Sequence, residues 1–262
     1  MDAINCAVCM FDTRSFTDNL RYFDQLKDNT FIQLIQNLCQ NGLILASIIE
    51  KENNFFFNPA GDGFILIFFG ENASVKCYLH SLLLKEMNNK ICNVFKKEKG
   101  KEIHFGMGLE CGTVVKIEMK KDDKAFVTYI GDAINNAARM ESETKHYFSD
   151  EIMVGSKINN DIVQKIYDFD YSNIYDNVVK KLEEDDNSTE IAEYLIKFNE
   201  INHNMLLTFL SQHKLKGIDQ SASCFRVSSS LSKAGSREFE RCIEMLSKYL
   251  KLKSEQMLNQ IK

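Results

Sequence analysis

Residues 126–142 read Phe-Val-Thr-Tyr-Ile, then Gly131, then Asp-Ala-Ile-Asn-Asn-Ala-Ala-Arg-Met-Glu-Ser. The β-branched and aromatic run predicts a strand, the glycine a turn and the alanine-rich run a helix, an order that limits the fold more than any other stretch. Asn135 and Arg139 stand four residues apart, so they leave one helix face a turn above each other. An amide and a guanidinium placed that way suit a sugar phosphate. A lone pair of this kind is more often a solvated helix face. It gains meaning from Asp12, Asp62 and Lys216, each of which falls where a strand meets a turn or loop.

The 262 residues, 44% of them hydrophobic, suffice for one large core or for a domain with an accessory segment, and the second is expected. A net charge of −5 offers no field for nucleic acid or an anionic membrane. No apolar run approaches the ~20 residues that span a bilayer. The first residues carry no basic segment or cleavage-like site, so a soluble, cytoplasmic protein is expected. Eight cysteines are scattered through apolar runs, which predicts buried thiols. Cys6 and Cys9 match C-x-x-C, but i and i+3 on a strand face opposite sides.

Residues 6–11 form an apolar run ended by Asp12, a buried strand arriving at a turn, with Ser15 or Thr17 free to cap the helix that follows. Residues 31–50 repeat apolar positions at helical spacing. Residues 55–58 and 64–69 read as two strands joined by Pro59-Ala-Gly-Asp-Gly63, a hairpin with Asp62 at its tip. If the first strand pairs beside it, Asp12 and Asp62 end at one edge as a two-carboxylate site suited to Mg²⁺ or Mn²⁺. Residues 72–99 predict a long helix, and residues 103–119 two strands with a break near Gly112. Residues 120–124 read as an exposed hairpin tip.

Beyond a short strand and helix near residues 152–156, the composition turns polar and acidic. A partly helical insertion is expected over 167–210, and a last hairpin from Gln212-His-Lys-Leu-Lys-Gly217 and Cys224-Phe-Arg-Val227. Apolar residues near heptad spacing from Phe239 to Ile261 predict an amphipathic C-terminal helix within 231–262, following a catalytic domain over 1–230.

Phe11-Asp-Thr-Arg-Ser-Phe-Thr17, Gly61-Asp-Gly-Phe64, Ile103-His-Phe-Gly-Met-Gly-Leu-Glu-Cys-Gly-Thr-Val-Val115, Tyr129-Ile-Gly-Asp-Ala-Ile-Asn-Asn-Ala-Ala-Arg-Met-Glu141 and Leu215-Lys-Gly-Ile218 occur in that order. Together they resemble the class III nucleotide cyclases across most of residues 6–228. The resemblance implies an α+β fold, a ferredoxin-like sheet with helices on one face, and a head-to-tail homodimer with its active sites at the interface. It implies that Asp12 and Asp62, grouped with Thr13, bind two metal ions, Mg²⁺ or Mn²⁺. Asn135 would orient the ribose, Arg139 stabilise the transition state and Lys216 hold the outgoing pyrophosphate, the last two from the partner chain. The diguanylate cyclases share a similar fold, but Ala60-Gly-Asp-Gly-Phe64 lacks their acidic hairpin signature.

Adenylate cyclases usually place a lysine, and guanylate cyclases a glutamate, where this chain has Asn58. Opposite it stands Thr128, a residue seen in many bacterial adenylate cyclases. Asn58 both donates and accepts, so it suits uracil, cytosine or adenine. Phe55, Phe56 and Phe57 precede it, and Phe57 is assigned to the base pocket as a ring that narrows it. A short cyclase without sensor domains resembles the pyrimidine cyclases of the Pycsar anti-phage systems, in which cUMP or cCMP switches on a separate effector. The expected reaction is therefore UTP to cUMP or CTP to cCMP, with cAMP synthesis as the alternative and, behind it, a non-catalytic nucleotide-binding module.

Overall fold

The computed structural model describes residues 2–50, 52, 54–121, 124–146, 151–165, 206–213 and 222–228. Lys216, residues 167–205 of the insertion expected over 167–210, and the expected C-terminal helix lie outside the described residues.

The apolar run before Asp12 becomes β1 (Ala3–Thr13), with Cys6, Ala7, Val8 and Cys9 all buried. A strand hides consecutive residues only when both of its faces are covered. β1 pairs antiparallel with β3 (Gly63–Phe69) on one side and with β4 (Phe105–Lys121) on the other. β2 (Phe55–Ala60) forms one edge against β3. Beyond β4 lie β6 (Glu151–Gly155), which runs parallel to it, then β8 (Ala222–Ser228) and β7 (Leu206–His213). The sheet order is β2-β3-β1-β4-β6-β8-β7, with β5 (Lys124–Ile130) paired to the far part of β4.

Alternation along the strands sorts the core into two layers. Ala7, Cys9 and Phe11 of β1 and Phe105, Met107 and Leu109 of β4 face α1 (Phe16–Gln25), α2 (Thr30–Ile49), α3 (Ala73–Lys99) and α5 (Ser156–Lys165). Phe11 stacks on Phe64 with ring centroids 4.9 Å apart, and Phe105 lies 5.4 Å from it. Each such buried ring contributes roughly 1.5–3 kcal/mol.

The fold is the expected α+β class, with one helix placed differently. α4 (Asp132–Glu143) covers the other face, where Ala133 and Ala137 join Cys6, Val8, Ile67 and Val114. The cause lies in β4: Gly106 and Gly108 are neighbours on that face and leave a strip without side chains. A Cβ on Gly108 would lie 2.1 Å from the Ala137 carbonyl oxygen and from the Glu141 amide, so the helix rests almost on the strand backbone.

Four expectations are corrected in detail. β4 runs unbroken through Gly112, because β1 pairs along it there with Cys6 opposite Gly112. β2 continues through Pro59 and Ala60, which an edge strand tolerates because a missing N–H costs no ladder bond there. β7 begins at Leu206, inside the range assigned to the insertion. Finally, α2 is a 20-residue helix long and apolar enough by composition to cross a bilayer. Here ten of its residues are buried, and Phe31, Leu38, Leu45 and Ile48 belong to the main core.

Candidate active site

The β1–β3 register, with Phe11 opposite Phe64, carries the Gly61-Asp62 turn over the end of β1. Gly63 makes this approach possible, since a Cβ there would lie 2.0 Å from the Phe11 carbonyl oxygen and 3.0 Å from the Asp12 Cα. Asp12 and Asp62 thereby line one cavity of about 710 Å³, together with residues 13–18, His104 and Lys145. The Thr13 hydroxyl donates to Asp62 Oδ2 at 2.5 Å. Thr13 is itself buried, so its side chain braces the second carboxylate.

The Asp12 carboxyl is pushed up to about 6 by burial first, then by the Asp62 and Glu141 carboxylates; Lys145 and Arg14 pull it partly back. A half-buried carboxylate whose charge is disfavoured by burial and by a neighbouring acid is an arrangement that a hard divalent cation relieves. Among the described residues no group of three or more His, Cys, Asp or Glu side chains is placed to hold a metal, so oxygen ligands beyond the pair would come from phosphates or backbone. The donor set fits Mg²⁺ or Mn²⁺ bound with a triphosphate.

At the same cavity α1 begins. Ser15 occupies its N-cap position with φ 54°, and its side chain makes no capping bond. The first amides of α1 therefore open toward the space beside the two aspartates, where partial positive charge gathers at the helix start.

Asn135 and Arg139 project from α4 outside that cavity. Asn135 is exposed, and Arg139 is half-buried with Nη1 donating to Asn136 Oδ1 at 2.8 Å. Asn58 is exposed on β2, and Thr128 is half-buried on β5. Phe57 is corrected: it faces the helical layer and packs on Phe64 at 4.8 Å, because neighbouring strand residues alternate sides. Phe56 shares the face of Asn58 instead, with its ring 4.8 Å from Tyr129. Cys6 and Cys9 do face opposite layers, and burial pushes both thiols up to about 12.

Sequence reasoning passed over Arg14, Glu141 and Lys145. Arg14 ion-pairs with Glu141, 127 residues away, and no local pattern announces such a contact. The one available signal is that Arg14 and Glu141 each lie inside a motif already singled out.

No family model matches the chain. A protein of Anabaena cylindrica named adenylate cyclase is 27% identical over 121 residues, 44% of this chain. That match spans 24% of the Anabaena protein, about a quarter of its length. The crystal structure of the adenylyl cyclase CyaB from P. aeruginosa aligns with TM-score 0.59 at 16% identity, over 88% of this chain and 97% of the other. The guanylate cyclase domain of RhGC from Catenaria anguillulae, in complex with GTP, aligns with TM-score 0.54 at 15% identity, over 87% and 99%. With this sheet order and these likenesses, the chain has the catalytic-domain fold of the class III nucleotide cyclases.

Proposed function

We propose that the protein is a nucleotide cyclase, converting a nucleoside triphosphate into a 3′,5′-cyclic monophosphate and pyrophosphate at sites shared by two copies of the chain. The observation that supports this most is a division of labour. Asp12 and Asp62 meet beside the open start of α1, whereas Asn135 and Arg139 point from α4 outside that cavity. A head-to-tail pair would bring the second set to the first.

In the reaction the ribose 3′-oxygen bonds to the α-phosphorus, the bond from that phosphorus to the pyrophosphate oxygen breaks, and the hydroxyl proton passes to solvent. Asp12 and Asp62 would hold Mg²⁺ or Mn²⁺, two ions per site, which when bound offset triphosphate charge and acidify the 3′-hydroxyl. The α1 amides hold the β- and γ-phosphates, and Thr13 keeps Asp62 in place. Asn135 orients the ribose, Arg139 takes up the charge that develops on the phosphoryl oxygens, and Lys216 stabilises the leaving pyrophosphate.

The base assigned is a pyrimidine, UTP giving cUMP or CTP giving cCMP. Asn58 and Thr128 read its edge, and Phe56 beside Tyr129 supplies the aromatic wall on that face. The product would act as a cytoplasmic second messenger on a separate effector, as in Pycsar anti-phage defence. A second reading, ATP to cAMP, draws on Thr128 and on the likeness to the protein named adenylate cyclase. Incubation with each of the four NTPs and Mn²⁺, with the product identified by mass, decides between them. Pyrimidine cyclic nucleotide is expected; cAMP moves the assignment to the second reading, and no cyclic product from any NTP removes the proposal.

A further inference from the structure

α4 rests on the strip of β4 where Gly106 and Gly108 present no side chains. Close packing on such a strip sets the height of the helix above the sheet but offers few steps against sliding along it. A polar contact at one end supplies the stop. The Arg14 guanidinium, 17% exposed, crosses over Gly106 and pairs with the Glu141 carboxylate, 7% exposed. It also donates to the Thr144 hydroxyl and, at 3.3 Å, to the Glu141 carbonyl oxygen, while Thr144 donates to that carbonyl at 2.6 Å. These contacts gather a cation at the C-terminal end of α4, where free carbonyls favour one. The same guanidinium lies 3.9 Å from Asp12 Oδ2.

We propose that Arg14 is a positioning residue that locks α4 to the Asp12 loop, so that Arg14 of one chain tunes both active sites of the dimer. The inference rests on the shared-site reading above. Glu141 is two residues beyond Arg139 and six beyond Asn135, about 9 Å along the helix axis at 1.5 Å per residue. A shift of one ångström at Glu141 is carried rigidly to both side chains, and a misplacement of that size costs on the order of 100-fold in rate. Lysine keeps the charge but cannot span Glu141 and Thr144 together.

The test uses mixed dimers of the full chain, one copy carrying Asp62→Ala and the other Arg139→Ala. The single live site then takes its carboxylates from the second copy and its α4 from the first. Activity in the mixture, with both homodimers inactive, is expected from the shared-site reading. Arg14→Gln is then placed only in the Asp62→Ala copy, which lends α4 but no carboxylates. The expected result is a fall in kcat of about tenfold or more with KM for the NTP nearly unchanged, and partial recovery with Arg14→Lys. Glu141→Gln in that copy should act in the same direction, and a thermal melt checks that each variant is folded. Unchanged kcat in that arrangement overturns the proposal, even if Arg14→Gln in the other copy is damaging, because Arg14 would then act on Asp12 alone. An inactive parent mixture overturns the shared-site reading and this inference with it.

Discussion

Asp62 is half-buried in a two-residue turn, and its carboxylate accepts the Thr13 hydroxyl. Losing one such bond costs about 1 kcal/mol, and removing the charge relieves repulsion at Asp12. Asp62→Ala is therefore expected to abolish cyclic nucleotide formation while leaving the melting temperature within a few degrees of the parent. Phe64→Ala, two residues on, removes a buried ring stacked on Phe11 and should cost about 3–5 kcal/mol in a urea titration. A different residue governs the response to acid. His80 is fully buried against Phe64 and Phe68, with Nε2 2.9 Å from the Gly42 carbonyl oxygen. Burial lowers its pKa from 6.5 to about 4. The unfolded chain thus takes up a proton first, so stability present above about pH 6.5 is lost as pH falls toward 4. The loss amounts to roughly 3 kcal/mol by linkage. By pH 5 about 2 kcal/mol of this is gone, and Asp12, whose raised pKa acts with the opposite sign, offsets part of it; the change in unfolding free energy from pH 7 to pH 5 should therefore be more unfavourable in the parent than in His80→Phe by about 2 kcal/mol in urea titrations.

At the level of elements, sequence legibility depended on whether the deciding contact was local. Asp12 and Asp62 were readable because an apolar run that stops at an acid, and a Gly-Asp-Gly between two strands, announce themselves within six residues. The side of β2 that Phe57 occupies was not, since it follows from pairing Phe57 with Leu66 rather than from anything in Phe-Phe-Phe-Asn. Gly112 looked like a strand break for the same reason: what carries β4 through it is the pairing with Cys6 of β1, which lies in another element. The β4–β5 ribbon shows what an unfinished element looks like. Met119, Phe126, Val127 and Ile130 are 37–56% exposed, an apolar surface on an arm whose strand partner among the described residues is β4. In the proposed dimer this surface is expected to lie at the interface. Phe126→Glu is expected to raise the dimer dissociation constant at least tenfold by analytical ultracentrifugation, with specific activity falling on dilution at concentrations where the parent stays active.

For the whole molecule, the sequence by itself determined the α+β class, the extents of the main helices, and which residues carry the acids, the amide and the guanidinium. The class follows from the resemblance that the order of the motifs carries, and the helix extents from periodicity and turn chemistry, all of which act over short stretches of chain. Only the tertiary structure decided that α4 crosses the face opposite the other helices, that Phe56 rather than Phe57 shares the face of Asn58, and that Arg14 closes on Glu141. Each of those depends on strand order and register, which are set by the summed burial of two core layers and the shape of a glycine strip, quantities that no single segment contains.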